Sequence, residues 1–173
     1  MTQHSTKDFQ AADAQHYLHP FTDFKDLANK GSRIITKAEG AYIYTNDGQK
    51  LLDGMSGLWC CNLGYTQPAI NKAVADQMNE LPYYNSFFQC SHPAAIELSK
   101  ELASVSPAHM NNVFYTNSGS EGNDTVLRLV RRYWDLKKQP NKRVIISREN
   151  AYHGSTVAAA SLGGMSYVHN QFG

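Results

Sequence analysis

Val113-Phe114-Tyr115-Thr116-Asn117-Ser118-Gly119-Ser120-Glu121-Gly122-Asn123-Asp124-Thr125 is the stretch on which the reading of this chain turns. It opens as a short apolar run of strand character, Val113-Phe114-Tyr115. It breaks on Asn117-Ser118-Gly119, which is turn chemistry. It resumes as a helix, with Val126, Leu127, Val130, Tyr133 and Trp134 at helical spacing. Ser118 and Glu121 stand three apart, the spacing of a capping box. A strand, a glycine-bearing turn and a helix start can be a cap alone. The same arrangement also holds phosphate, because first-turn amides lack helical partners and the helix dipole favours an anion.

Composition excludes several classes of function. The chain has 173 residues, 42% of them hydrophobic, enough for a folded domain rather than a disordered segment. Sixteen basic against fifteen acidic residues leave a formal charge of +1, so nothing points to nucleic acid or an anionic membrane. No apolar run approaches a spanning helix, and residues 1–7 do not read as a secretory signal. Cys60, Cys61 and Cys90 form a poor disulfide framework, which reads as free thiols in a cytoplasmic setting. The vicinal pair has no nearby Cys or His to complete a metal site, so no metal is expected.

Outward from the opening stretch, the order of elements is informative. Residues 1 to about 20 read as an arm that becomes helical over 9–17, broken at His19-Pro20 and tied down by Phe21 and Phe24. Strands are expected at 33–37, 41–44 and 50–53, the last two joined through Asn46-Asp47-Gly48 as a hairpin. Residues 54–64 form a glycine-rich loop carrying Trp59, which pattern alone assigns to a core. Helices are expected behind Pro68 and behind Pro93. Between them, Tyr83, Tyr84, Phe87 and Phe88 read as core, buried interface or pocket wall. After the opening helix, 143–147 reads as a second strand, parallel to 113–115 in a right-handed βαβ unit. It leads to the turn Tyr152-His153-Gly154-Ser155-Thr156 and a small-residue helix over 157–162. Both turns then lie at strand carboxyl ends, where open α/β sheets bind ligands. Residues 163–173 read as a loop, and the whole as the front part of a larger domain.

At these residues the chain resembles a known family. Thr116-Asn117-Ser118-Gly119-Ser120-Glu121-Gly122-Asn123-Asp124-Thr125 is similar to the phosphate cup of class III aminotransferases, fold type I enzymes that use pyridoxal 5′-phosphate. Asn150-Ala151-Tyr152-His153-Gly154-Ser155-Thr156 resembles their ring-stacking motif. Glu39-Gly40, Asp47-Gly48, Leu52-Asp53, Ser56-Gly57-Leu58-Trp59 and 81–88 match in order and point to the ω-transaminases, the branch with putrescine–pyruvate and β-alanine–pyruvate enzymes. The resemblance implies an α/β fold: arm and small-domain antiparallel strands over 1–64, then the start of a mostly parallel α/β/α large domain over 65–173.

Carried over, Gly119 and Ser120 hold the cofactor phosphate, with Ser118 in the same turn. Tyr152 stacks on the pyridine ring, and His153 and Gly154 support its turn. The resemblance makes Phe21 and Trp59 walls of the substrate pocket. It also has Phe87 or Phe88 reach a neighbouring subunit in a homodimer or tetramer. Gly122 departs from the small residue, such as alanine, usual there. None of the ten lysines falls in the family's Schiff-base motif, which the resemblance places beyond Gly173, so no catalytic residue is assigned here and the chain alone is expected to be inactive. The expected activity of the whole is transfer of an amino group from a primary amine, diamine or ω-amino acid to pyruvate or another keto acid. An aminomutase, a decarboxylase and a non-catalytic phosphate-binding fragment are the alternatives.

Overall fold

The computed structural model describes residues 4–170. It divides into two units, one ending at Tyr84 and the other beginning at Asn85.

In the first unit, helix α1 (Thr6–His16) starts earlier than hydrophobic periodicity suggests. The reason is a capping box: the Asp8 amide donates to Ser5 Oγ and the Ser5 amide returns to Asp8 Oδ2 at 2.9 Å. A second helix, α2 (Phe24–Lys30), was not expected. Asp23 caps it by accepting from the amides of Lys25 and Asp26, and Gly31 ends it with a φ of 73°. Strands β1 (Ile35–Glu39), β2 (Tyr42–Thr45) and β3 (Lys50–Leu52) form an antiparallel sheet in sequence order. The hairpin through Asp47-Gly48 is present, with Tyr44 opposite Lys50. The β1–β2 turn centres on Gly40, with Glu39 opposite Tyr42. After β3 comes a single tight turn, α3 (Ser56–Trp59), then α4 (Pro68–Glu80), with its proline in the first helical turn.

In the second unit, α5 (Pro93–Val105) is capped by His92, which accepts the Ala95 amide. Helix α6 (Gly119–Leu136) is the longest, at 18 residues. Helices α7 (Val157–Leu162) and α8 (Ser166–His169) complete it, and α7 packs against both neighbours. The short α8 replaces the loop expected there. Just before it, Gly164 packs so closely that a Cβ would stand 2.0 Å from the Arg148 carbonyl.

The expected parallel strands form no ladder among the described residues: neither 113–115 nor 143–147 pairs as a strand. A strand exists only as half of a hydrogen-bonded pair, and Val144 and Ile146 are 89% and 91% exposed. The 113–115 segment is instead tied to α5, with the Tyr115 hydroxyl donating to the Ala95 carbonyl at 3.1 Å. Burial is sparse. Ala159 and Ala160 on α7 are the buried apolar residues among those described, while the α4 stripe of Ile70, Val74 and Met78 is half exposed. Tyr83, Tyr84, Phe87 and Phe88 are exposed as well, so they are not the core of either unit.

Candidate cofactor site

The site is built where two turns meet in the second unit. Ser118 is extended (φ −150°, ψ 158°) and caps α6, its Oγ accepting the Glu121 amide at 3.2 Å. The other half of the box is displaced by one residue. Glu121 Oε2 accepts from the amide and the side chain of Asn117, at 3.1 and 3.3 Å, rather than from Ser118. This holds the Glu121 carboxylate back along the entering chain, away from an anion in front of the helix. The Ser118 hydroxyl oxygen is thus spent on the cap. The first-turn amides of Gly119 and Ser120 have no intrahelical acceptor and form the positive end of the helix dipole.

The 152–156 turn is latched onto this helix start by three hydrogen bonds. The Ser155 amide donates to Ser120 Oγ at 3.0 Å. Asn123 Nδ2 donates to the His153 carbonyl at 2.6 Å. Thr156 Oγ1 donates to Asp124 Oδ1 at 2.8 Å while capping α7 by accepting the Ala159 amide. Gly154, at the centre, is buried with a φ of +131°. A Cβ there would lie 2.5 Å from Ser120 Oγ and 2.7 Å from the Ala159 methyl. Only glycine lets the turn approach this closely. Ser120 accepts one hydrogen bond and keeps its hydroxyl proton to donate. Tyr152 sits at the start of the latched turn, half exposed.

This donor set fits a phosphate ester: free first-turn amides, a hydroxyl with its proton available, a dipole of the right sign, and an aromatic ring on the adjoining turn. Ser120, His153 and Gly154 are brought together by the latch, with Gly119 and Tyr152 next to them in the chain and Ser118 behind as the cap. Phe87 lines a groove with residues 114–117 and the Glu121 and Asp124 side of α6; Phe88 is 93% exposed. Phe21 and Trp59 belong to the first unit, 74% and 83% exposed. Asn123, Asp124 and Thr156 lie in the two motifs, but their part in joining the turns was not read from the sequence. Thr156 one residue before a helical run is a cap signal that pointed to it, whereas its bond to Asp124 has no sequence signature.

Comparison with known proteins agrees with the residues. Residues 27–173 match the family model for aminotransferase class-III. The chain is 56% identical over 171 residues to a putrescine–pyruvate aminotransferase of Pseudomonas aeruginosa, covering 99% of this chain and 38% of that protein. It is 43% identical to a probable mitochondrial gamma-aminobutyrate transaminase 2 of Oryza sativa subsp. japonica, covering 90% of this chain and 31% of that one. Among solved structures, an omega transaminase from Pseudomonas jessenii in complex with PMP superposes with a TM-score of 0.91 at 40% identity, over 94% of this chain and 36% of that one. A transaminase from the marine bacterium Virgibacillus gives 0.92 at 35% identity, over 96% and 38%. The chain thus spans less than two-fifths of the length of these relatives. The fold is α/β, the N-terminal part of a fold type I transferase. The chain belongs to the class III aminotransferase family.

Proposed function

We propose that this chain is the N-terminal portion of an ω-transaminase that moves an amino group from a primary amine or diamine, such as putrescine, or an ω-amino acid to pyruvate, using pyridoxal 5′-phosphate. The observation that carries the reading is the latch of the 152–156 turn onto the first turn of α6, which joins anion donors and an aromatic ring at one place. The relative at 56% identity, whose name gives putrescine and pyruvate as its substrates, supports the choice of donor and acceptor.

When bound, the cofactor supplies an electron sink that lets an amino group be taken up and later handed on. The residues of this chain hold and orient it. The amides of Gly119 and Ser120 and the Ser120 hydroxyl bind the phosphate. Tyr152 stacks against the ring, and His153 gives its carbonyl to Asn123 to fix the turn. Gly154 permits the approach and Ser118 pre-forms the helix start. Phe21 and Trp59 wall the amine pocket, and Phe87 or Phe88 reaches a second subunit of a homodimer. The half-exposed stripes on α4 and α5 support further chain covering them. The covalent lysine belongs to that further chain, so the 173 residues alone do not turn over.

The test supplies the full-length protein with putrescine, pyruvate and pyridoxal phosphate and measures alanine. Stoichiometric alanine is expected. Release of carbon dioxide, or an isomerised amino acid with no alanine, would replace this reading with a decarboxylase or an aminomutase.

A further inference from the structure

The turn that carries Trp59 is built in the wrong hand. Ser56, Gly57, Leu58 and Trp59 have successive φ values of 50°, 59°, 63° and 68°, and Gly57 and Leu58 have ψ values of 35° and 54°. Three of these four residues have a Cβ, which the left-handed region disfavours. Such a run persists only where surrounding contacts over-determine it.

Asp53, the residue after β3, supplies those contacts. Its Oδ2 accepts the Gly57 amide at 2.7 Å and the Tyr65 hydroxyl at 2.5 Å, and its Oδ1 accepts the Met55 amide at 3.1 Å. The turn then closes on itself, with the Trp59 amide donating to Met55 O and the Cys60 and Cys61 amides to Ser56 O. Tyr65 is in turn fixed to the sheet. Its amide donates to the Gly40 carbonyl at 2.8 Å, and the Gly40 amide donates to Thr66 Oγ1 at 2.9 Å. A Cβ on Gly57 would lie 2.9 Å from Cys61 Sγ and 3.1 Å from the Tyr65 hydroxyl, so the cluster leaves no slack at its centre. The path runs from the sheet through Tyr65 and Asp53 to Gly57, two residues before Trp59.

We infer that Asp53, clamped by Tyr65, is a positioning residue that fixes where the Trp59 ring stands and so sets the bulk of amine the enzyme accepts. This rests on the reading of Trp59 as a pocket wall. Asp53 itself touches no substrate. An asparagine there keeps the shape but has one acceptor atom where the turn uses two, so the left-handed run loses part of its hold.

The experiment uses the full-length protein and compares Asp53→Asn, Trp59→Ala and the double variant. It reads the ratio of kcat/KM for 1-phenylethylamine to that for putrescine, the dissociation constant of pyridoxal phosphate, and the rate at which a thiol reagent labels Cys61. The expected result is a shift in the amine ratio of at least about tenfold for Asp53→Asn, in the same direction as for Trp59→Ala, with no further shift in the double variant. Cofactor affinity stays unchanged, and Cys61 labels severalfold faster. A ratio unmoved in Asp53→Asn but moved in Trp59→Ala overturns the clamp and leaves the pocket reading standing. A ratio unmoved in Trp59→Ala overturns the pocket reading, and the inference with it. If Asp53→Asn does not accumulate as folded protein, Tyr65→Phe takes its place. That variant removes one of three donors and is expected to shift the ratio in the same direction by less, and no shift overturns the inference.

Discussion

Replacing Gly154 by alanine probes the latch at its tightest point. The added methyl would sit 2.5 Å from Ser120 Oγ, 2.7 Å from the Ala159 methyl and 2.8 Å from Ser120 Cα. The first contact falls about 0.9 Å inside the 3.4 Å at which ordinary van der Waals contact begins. Ser120 Cα belongs to a helix and cannot rotate away, so the turn must retreat. The left-handed φ adds about 1–3 kcal/mol of backbone strain for a residue with a Cβ. Overpacking adds about 1–3 kcal/mol more. Retreat also stretches the 3.0 Å bond from Ser155 to Ser120, worth about 1 kcal/mol. The expected loss is therefore about 3–7 kcal/mol, shared between folding and cofactor binding. Chemical denaturation of the apo full-length protein measures the first part, and titration with pyridoxal phosphate the second. A variant within about 0.5 kcal/mol of wild type in both would refute the close-approach argument.

Three other outcomes follow from the same geometry. Thr156→Val removes the bond to Asp124 and the cap of α7, and is expected to cost about 1–3 kcal/mol by denaturant titration, with Thr156→Ser recovering most of it. Tyr152→Ala is expected to weaken pyridoxal phosphate by roughly 2- to 13-fold through lost stacking, while Tyr152→Phe binds as wild type. The Tyr65 hydroxyl, and after it the Gly57 amide, hold the Asp53 carboxyl below its ordinary 3.8. A carboxyl with a depressed folded pKa contributes stability above its unfolded value and loses it as pH falls through the folded one. The stability difference between wild type and Asp53→Asn should then be flat from neutral pH to about 5 and close as pH falls through 3.8 and below. A difference already closing at pH 6 would contradict the clamp.

The parts legible in the sequence were those fixed by local chemistry. Asp47-Gly48 gave the hairpin, Pro68 and Pro93 the helix starts, and Ser118 the start of α6, because each acts on its own backbone within four residues. The pairing of 113–115 with 143–147 was not realised, since parallel strands depend on neighbours that no local pattern supplies. Helix α2 was missed because seven residues carry too little periodicity, although Asp23 and Gly31 bracket it as cap and stop. The left-handed turn at Trp59 was read only as a glycine-rich loop. Its cause is a contact between Asp53 and Tyr65, twelve residues apart, with no sequence spacing to announce it. In the site, the two turns were legible, whereas the hydrogen bonds that latch them together were not.

The central claim is that the start of α6 holds a phosphate, and one comparison tests it directly. The full-length protein and its Ser120→Ala variant are each titrated with pyridoxal phosphate and with pyridoxal, which lacks the phosphate. A hydrogen bond to a charged acceptor is worth about 1.5–3 kcal/mol, or roughly 10- to 150-fold in affinity. Ser120→Ala should therefore weaken pyridoxal phosphate by at least about tenfold more than it weakens pyridoxal, whose loss is limited to that of the Ser155 latch. Equal weakening of both ligands, or of neither, would contradict the phosphate cup.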